Sequence, residues 1–451
     1  MTRRLSSLLL ASLVALLAPR AEAMHSPGEG RKTSAHDFSL AVRRLVLPNG
    51  LVVLLAPDPT ASSVLLWMTF RAGTVYEPAK RSGLAHLVEH IMMSGPTRET
   101  GYAALLEQRR ARYLNATTDF ESLRFETVVP PEELPLALWV LADRLGSIPP
   151  LIDAALVQRH RAVVLQERAF RDVDAPYGLV HELLYSRLFG APHPLHGGVG
   201  GVPAELALAT PDEVRSFVAD HLTAANATVT LVGRFDPAQA EALIVGSLGT
   251  LPPGERKSLR AFGSPPRDLV DSKEELVSRQ PGVTLAWRLG QLGYDDAVAL
   301  KLGAQLLSIH TDGAFGMRIA ADLVEQDRDS LFLLELTVPY DEAPGAVQSD
   351  AEGFLRQLTG REMPFDLLQT ANLALDRVAL FNLDSLEGRA QRLTRLELLS
   401  GSKINVADDC GRHWMLDPVT VHDTARAVLH APNVIVHARP ARPRPPRGEP
   451  Q

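Results

Sequence analysis

Apolar positions along this chain gather into short continuous runs and into stripes with helical spacing, and the two kinds alternate. Residues 51–56 and 64–70 are apolar runs with strand character. Leu84, Leu87, Val88, Ile91 and Met92 recur at helical intervals and predict an amphipathic helix that Gly95-Pro96 ends. Residues 134–145 and 155–168 predict two more helices, and further on 282–288 predicts a strand, 297–307 a helix and 331–338 a strand. Both parts mix helices with short strands, so the chain reads as two segments of similar architecture.

Proline and glycine set the boundaries. The stretch from Leu251-Pro252-Pro253-Gly254 to Gly263-Ser264-Pro265-Pro266 predicts a linker at 251–272, between a first domain at 44–250 and a second at 273–438. Residues 439–451 carry Arg442-Pro443-Arg444-Pro445-Pro446-Arg447 and are expected to be an extended, disordered tail. At the other end Arg3 and Arg4 precede an apolar run from Leu8 to Ala18, then Ala21-Glu22-Ala23. That order predicts a signal peptide at 1–23, an extension at 24–43 and export to the periplasm or the exterior. The apolar run is too short for a convincing span, and no later stretch predicts one. A single cysteine, Cys410, excludes an internal disulfide and is expected to be a packed thiol. With 451 residues, 45% of them hydrophobic, the chain has ample material for buried cores. A net charge of -7 provides no basic field for nucleic acid.

The chemistry is concentrated in His86-Leu87-Val88-Glu89-His90, an H-x-x-E-H string on the first amphipathic helix. Histidines at i and i+4 project from one face and can grip one metal ion, and Glu89 flanks that face. A carboxylate there can take a proton from water at the metal. Catalytic zinc needs a third protein ligand, for which Glu167 in the helix at 155–168 is the best candidate and His160 the next.

At this point the chain resembles the pitrilysin/insulinase inverzincins, particularly half-length members such as mitochondrial processing peptidase subunits and bacterial zinc proteases. Their motif is followed by a ligand glutamate in a V-x-x-E helix, which Val164 to Glu167 matches. The likeness extends to Leu47-Pro48-Asn49-Gly50-Leu51, Arg71-Ala72-Gly73-Thr74 with Glu77, and Asn115-Ala116-Thr117-Thr118. Pro176-Tyr177-Gly178, the loop from His193-Pro194 to Gly200, and the segment from Asn226 to Gly233 also match. The resemblance implies tandem homologous α+β domains, the second a degenerate repeat without the zinc motif, forming half of a clam-shell chamber. It implies one Zn2+ on His86, His90 and Glu167, with Glu89 as general base in endopeptidase chemistry. Asn115 and Ala116 would align a short or unfolded peptide along a sheet edge.

Departures from the pattern are as telling. Arg109-Arg110-Ala111-Arg112 replaces the glycines usual before N-A-x-T, and Met93 stands where a phenylalanine is common. Active members draw an Arg and Tyr pair from a C-terminal domain, whereas residues 318–332 offer Arg318 and Arg328 but no tyrosine. The implied arrangement is a heterodimer with a related chain that supplies the pair, with a homodimer as the other possibility. The competing reading is a weakly active or non-catalytic zinc-bearing subunit that binds peptide. His193-x-x-His196 is a second possible metal pair, although its Pro and Gly neighbours place it in a loop. His160 stands where the family often has a second glutamate, as a functional substitution or a solvated helix residue. The N-x-T sequences at Asn115 and Asn226 fall in expected strands and read as structural rather than as glycosylation acceptors.

Overall fold

A computed structural model describes residues 40–94, 101–170, 177–191, 193–259, 272–278, 281–310, 318–337, 365–401, 403, 405–429 and 434–440, with short pieces between 348 and 360. The expected signal peptide, the Gly95-Pro96 helix stop, Pro176 and the end of the tail lie outside these residues. The strands are β1 (Arg43–Val46), β2 (Val52–Pro57), β3 (Val64–Phe70), β4 (Tyr113–Thr118), β5 (Leu123–Val129) and β6 (Ala227–Gly233) in the first half. In the second they are β7 (Ser272–Ser278), β8 (Gly282–Gly290), β9 (Arg318–Val324), β10 (Ser330–Thr337) and β11 (Val434–Pro440). The helices of the first half are α1 (Leu84–Met93), α2 (Tyr102–Gln108), α3 (Leu134–Ser147), α4 (Ala154–Arg168), α5 (Gly178–Phe189), α6 (Pro203–Leu206), α7 (Pro211–His221) and α8 (Pro237–Leu248). Those of the second are α9 (Tyr294–His310), α10 (Phe365–Asp384), α11 (Leu386–Ser400), α12 (Val406–Gly411) and α13 (Pro418–Val428).

The two sheets share one plan. The first runs β1-β2-β6-β3-β5-β4 and the second β7-β11-β8-β10-β9. In each, one parallel pair (β2 with β6, β7 with β11) is followed by antiparallel neighbours, so the second sheet repeats the first without β1. This is the tandem α+β architecture expected from the sequence. β3 covers the residues expected of it, and α3 and α4 extend their predicted helices by a residue or two. β11 reaches Pro440, so the second domain extends slightly into the expected tail. The turn between β1 and β2 needs Gly50, whose φ of 87° is left-handed and where a Cβ would meet the Ala225 side chain at 2.8 Å.

Each sheet buries both faces, and each half covers one face of the other. Alternation along β2, β3 and β5 sends Val53, Met68 and Phe125 into the core beneath α1 and α3. The opposite residues, Leu54, Leu65, Trp67 and Val128, meet Leu383, Ala390, Leu393 and Leu396 of α10 and α11. Arg44 to Glu397, both bonds 2.8 Å, and Thr230 to Thr394 at 2.7 Å fix α11 in place. Conversely α5 lies on the second sheet, where Ala286, Leu331, Val434 and Val436 join the first core. The expected linker is also less free than its composition suggests. Ala224 and Ala225 donate to the carbonyls of Pro252 and Pro253 at 3.0 and 2.8 Å, and the Lys257 amide donates to Asn226 at 2.9 Å. Asn226 sits in a buried turn just before β6 rather than in the strand, and its side-chain amide donates to the Arg71 and His221 carbonyls. That engagement agrees with a structural reading of this N-x-T.

Polar contacts also join the halves. Asp329 accepts from Arg288 at 2.8 Å and meets His193 at 3.1 Å, and the Asp327 amide donates to Glu121 at 2.6 Å. Burial pushes the Glu121 carboxyl up to about 7, with Asp119 and Asp327 adding to the rise and the Asp327 amide and Arg71 opposing it. Because the folded pKa lies above the unfolded one, this group's contribution is fully present below about 4.5 and is lost as pH rises through about 7. Glu121→Gln keeps an acceptor for the amide and removes the titration. Urea unfolding should find the variant more stable than the wild type at pH 8, by roughly 1–3 kcal/mol, with the gap closing by pH 5. A gap independent of pH would show that Glu121 does not titrate in this way.

Candidate metal centre

The metal helix is built on two close backbone approaches. Gly83 caps α1 with φ 93°, and a Cβ on the facing Gly201 would meet the Gly83 Cα at 2.4 Å, so the loop before α6 seats directly on the helix start. Beneath it the buried Glu77 carboxylate accepts from the Gly83 amide at 3.0 Å and from the Ala85 amide at 2.8 Å. An acceptor at this end satisfies amides that the helix itself leaves free. Burial pushes Glu77 up to about 8 against those bonds. Glu205 supports the same turn, accepting from the Ser82 amide at 3.1 Å. Glu77 appeared in the sequence only as part of a motif. Its capping role depends on a chain reversal that local pattern does not reveal.

From this anchored helix His86 and His90 converge on α4. Their Nε2 atoms are 3.1 Å apart, and Glu167 Oε2 lies 3.6 Å from His86 Nε2 and 3.3 Å from His90 Nε2. Among the described residues, these three form the one group of at least three His, Cys, Asp or Glu side chains able to hold a metal ion. Two imidazole nitrogens turned toward each other this closely need a proton or a cation between them. Zinc bonds of about 2.1 Å at tetrahedral angles put neighbouring ligand atoms about 3.4 Å apart, close to the spacing seen, so the residues fit the ion. The His86 and His90 imidazoles facing it hold the Glu167 carboxyl well below its usual range. His86 is buried while Glu167 is exposed, which leaves the site open on the α4 side.

Glu89 is half-buried between the two histidines in sequence, and among the described residues no hydrogen bond or ion pair engages its carboxylate. It is free to act on a proton. His160 lies outside the triad on α4. Burial, and then the field of His90, push it down to about 4, so it is neutral near pH 7. His193 and His196 have other partners: His193 is held by Asp329, and His196 meets Glu205 at 3.3 Å.

Among the described residues β4 is an edge strand, paired only with β5. The Asp119 amide bonds Ser122 at 2.8 Å, and ladder alternation from there turns the amide and carbonyl of Ala116 to the open edge, with those of Leu114 and Thr118 beside them. Ala116 packs in the core that contains α1. Asn115 points to the opposite face and donates to Glu126 at 3.0 Å, beside Arg124 and Trp67. The two expected peptide contacts therefore separate: Ala116 presents backbone at the edge, and the Asn115 side chain supports the strand from behind. Arg109 and Arg110 make surface pairs with Glu133 and Glu132. Arg328 is exposed in the β9–β10 turn and donates to Gln291 at 3.2 Å, and Arg318 opens β9.

Two repeated α+β domains, with an H-x-x-E-H helix in the first only, define a metallopeptidase-like fold. Residues 52–194 match the family described as insulinase, peptidase family M16, and residues 209–318 match the peptidase M16 inactive domain. The chain belongs to this family. It is 31% identical over 326 residues to coenzyme PQQ synthesis protein F of Pseudomonas aeruginosa, covering 68% of this chain and 41% of that protein. It is 29% identical over 300 residues to an uncharacterized zinc protease of Mycobacterium tuberculosis, covering 65% of each. The chain thus spans less than two thirds of either relative. Among solved structures, a protease from Helicobacter pylori has the same fold with a TM-score of 0.80 at 18% identity, covering 89% of this chain and 100% of that one. The periplasmic protease PqqL of Escherichia coli gives 0.70 at 17% identity, covering 88% of this chain and 47% of that one. No described helix is long and apolar enough to cross a membrane.

Proposed function

We propose that this chain is an exported zinc-dependent endopeptidase that hydrolyses short or unfolded polypeptides. The observation that carries this reading is the convergence of His86, His90 and Glu167 beside an unengaged Glu89. His86, His90 and Glu167 would hold zinc, which when bound supplies a Lewis acid for the scissile carbonyl and favours ionisation of water. Glu89 takes the proton of the attacking water and returns it to the departing amine nitrogen. The open edge of β4 accepts an extended peptide through the backbone of Ala116, a mode that reads main chain more than sequence. Export rests on the Arg3-Arg4 segment, the apolar run and Ala21-Glu22-Ala23.

The absence of tyrosine from residues 318–332 favours a second reading, a weakly active or non-catalytic peptide-binding subunit that needs a related chain bearing an Arg and Tyr pair. Peptide hydrolysis by this chain alone, by a candidate partner alone and by the mixture separates the two, with masses taken from light scattering. Activity is expected mainly in the mixture, together with a heterodimer mass. Strong hydrolysis by the isolated chain, unchanged by a partner, would remove the need for a second subunit.

A further inference from the structure

A second polar centre lies behind the metal helix. Arg144 of α3 is 1% exposed, yet among the described residues no carboxylate pairs with it. Its Nη1 contacts the Met93 sulfur at 3.2 Å, while Nε and Nη2 have no hydrogen-bond partner. Its sequence neighbour Asp143 is engaged elsewhere, accepting from Tyr102 at 2.6 Å and from Ser147 at 2.7 Å. The guanidinium carbon lies 5.3 Å from the Tyr102 ring centre and 4.9 Å from that of Phe125. Ring faces attract a cation but supply no counter-charge. Burial pushes Arg144 down to about 10, which leaves it a cation near pH 7.

A cavity of about 10 Å³ opens beside this cation, lined by Arg144, Thr127, Leu66, Phe125 and Leu141 among others. It has room for about one water-sized particle, too little for sulfate or phosphate. A water molecule would satisfy the free N–H groups but leave the charge uncompensated, and an uncompensated buried charge is strongly unfavourable. A monatomic anion does both. We propose that this cavity binds one small monovalent anion of the halide class, chloride being the ordinary occupant, between the Arg144 guanidinium and the Thr127 hydroxyl. Through Met93, the last residue of α1, the ion would back the final turn of the metal helix.

Thermal unfolding of the zinc-loaded chain in sodium chloride or bromide, matched in ionic strength with sodium gluconate, tests this. An ion that binds only the folded state should raise the midpoint by about 1.5–2 °C per tenfold increase in halide above its Kd. Arg144→Met, which fills similar space without charge, should lose the dependence. Crystals of the wild-type chain grown in bromide test the site independently of that variant's folding, since an anomalous peak is expected beside Arg144. Coincident halide and gluconate curves, or a bromide map with only water there, would overturn the proposal.

Discussion

Replacing Glu89 by glutamine is expected to leave close to one zinc per chain while peptide hydrolysis falls by about 10²- to 10⁴-fold. Glutamine keeps the size of the side chain and some hydrogen bonding but cannot accept the proton of water. The His86, His90 and Glu167 contacts do not involve Glu89, so metal content should separate from activity. Metal analysis and initial rates on the same preparation supply both numbers. Undiminished hydrolysis in the variant would place the general base elsewhere or reveal a contaminating peptidase.

Removing a ligand should do the reverse. His86→Ala, His90→Ala and Glu167→Ala are each expected to lose most of the zinc, and hydrolysis with it. The buried His86 should cost the most affinity, because its ring is held on the anchored helix, whereas Glu167 approaches from an exposed position on α4. Zinc titration with a competing chelator ranks the three. If Glu167→Ala retains full zinc, the third ligand is another residue, and His160 on the same helix is the first to replace.

The sequence made this centre legible because its geometry is local. Spacing of i and i+4 puts two histidines on one face wherever a helix forms, and α1 forms over the residues its apolar stripe marks. Glu167 was accessible through the V-x-x-E pattern that the family resemblance places in the helix at 155–168. The strands at 64–70 and 282–288 were legible because sheets buried on both faces give unbroken apolar runs. What escaped notice depends on chain reversal. Glu77 reads as an ordinary loop acid until the chain folds back and its carboxylate meets the amides of Gly83 and Ala85. Asn115 and Ala116 are adjacent in a motif, and only strand alternation shows that they serve opposite sides of the sheet. Arg144 looks like the polar edge of a helix that proves to be buried on that side too.

The covering of the first sheet by α10 and α11 has a consequence for synthesis. A ribosome has delivered every strand of that sheet once Gly233 is made, but α11 does not begin until Leu386. Until then the surface of Leu54, Leu65, Trp67 and Val128 has no lid, so the nascent first half carries a sticky flank through the translation of the linker and of β7 to β10. Domains that could fold in order of emergence are thereby made to wait for one another, and the metal-bearing half cannot bury this flank until α10 and α11 have been made.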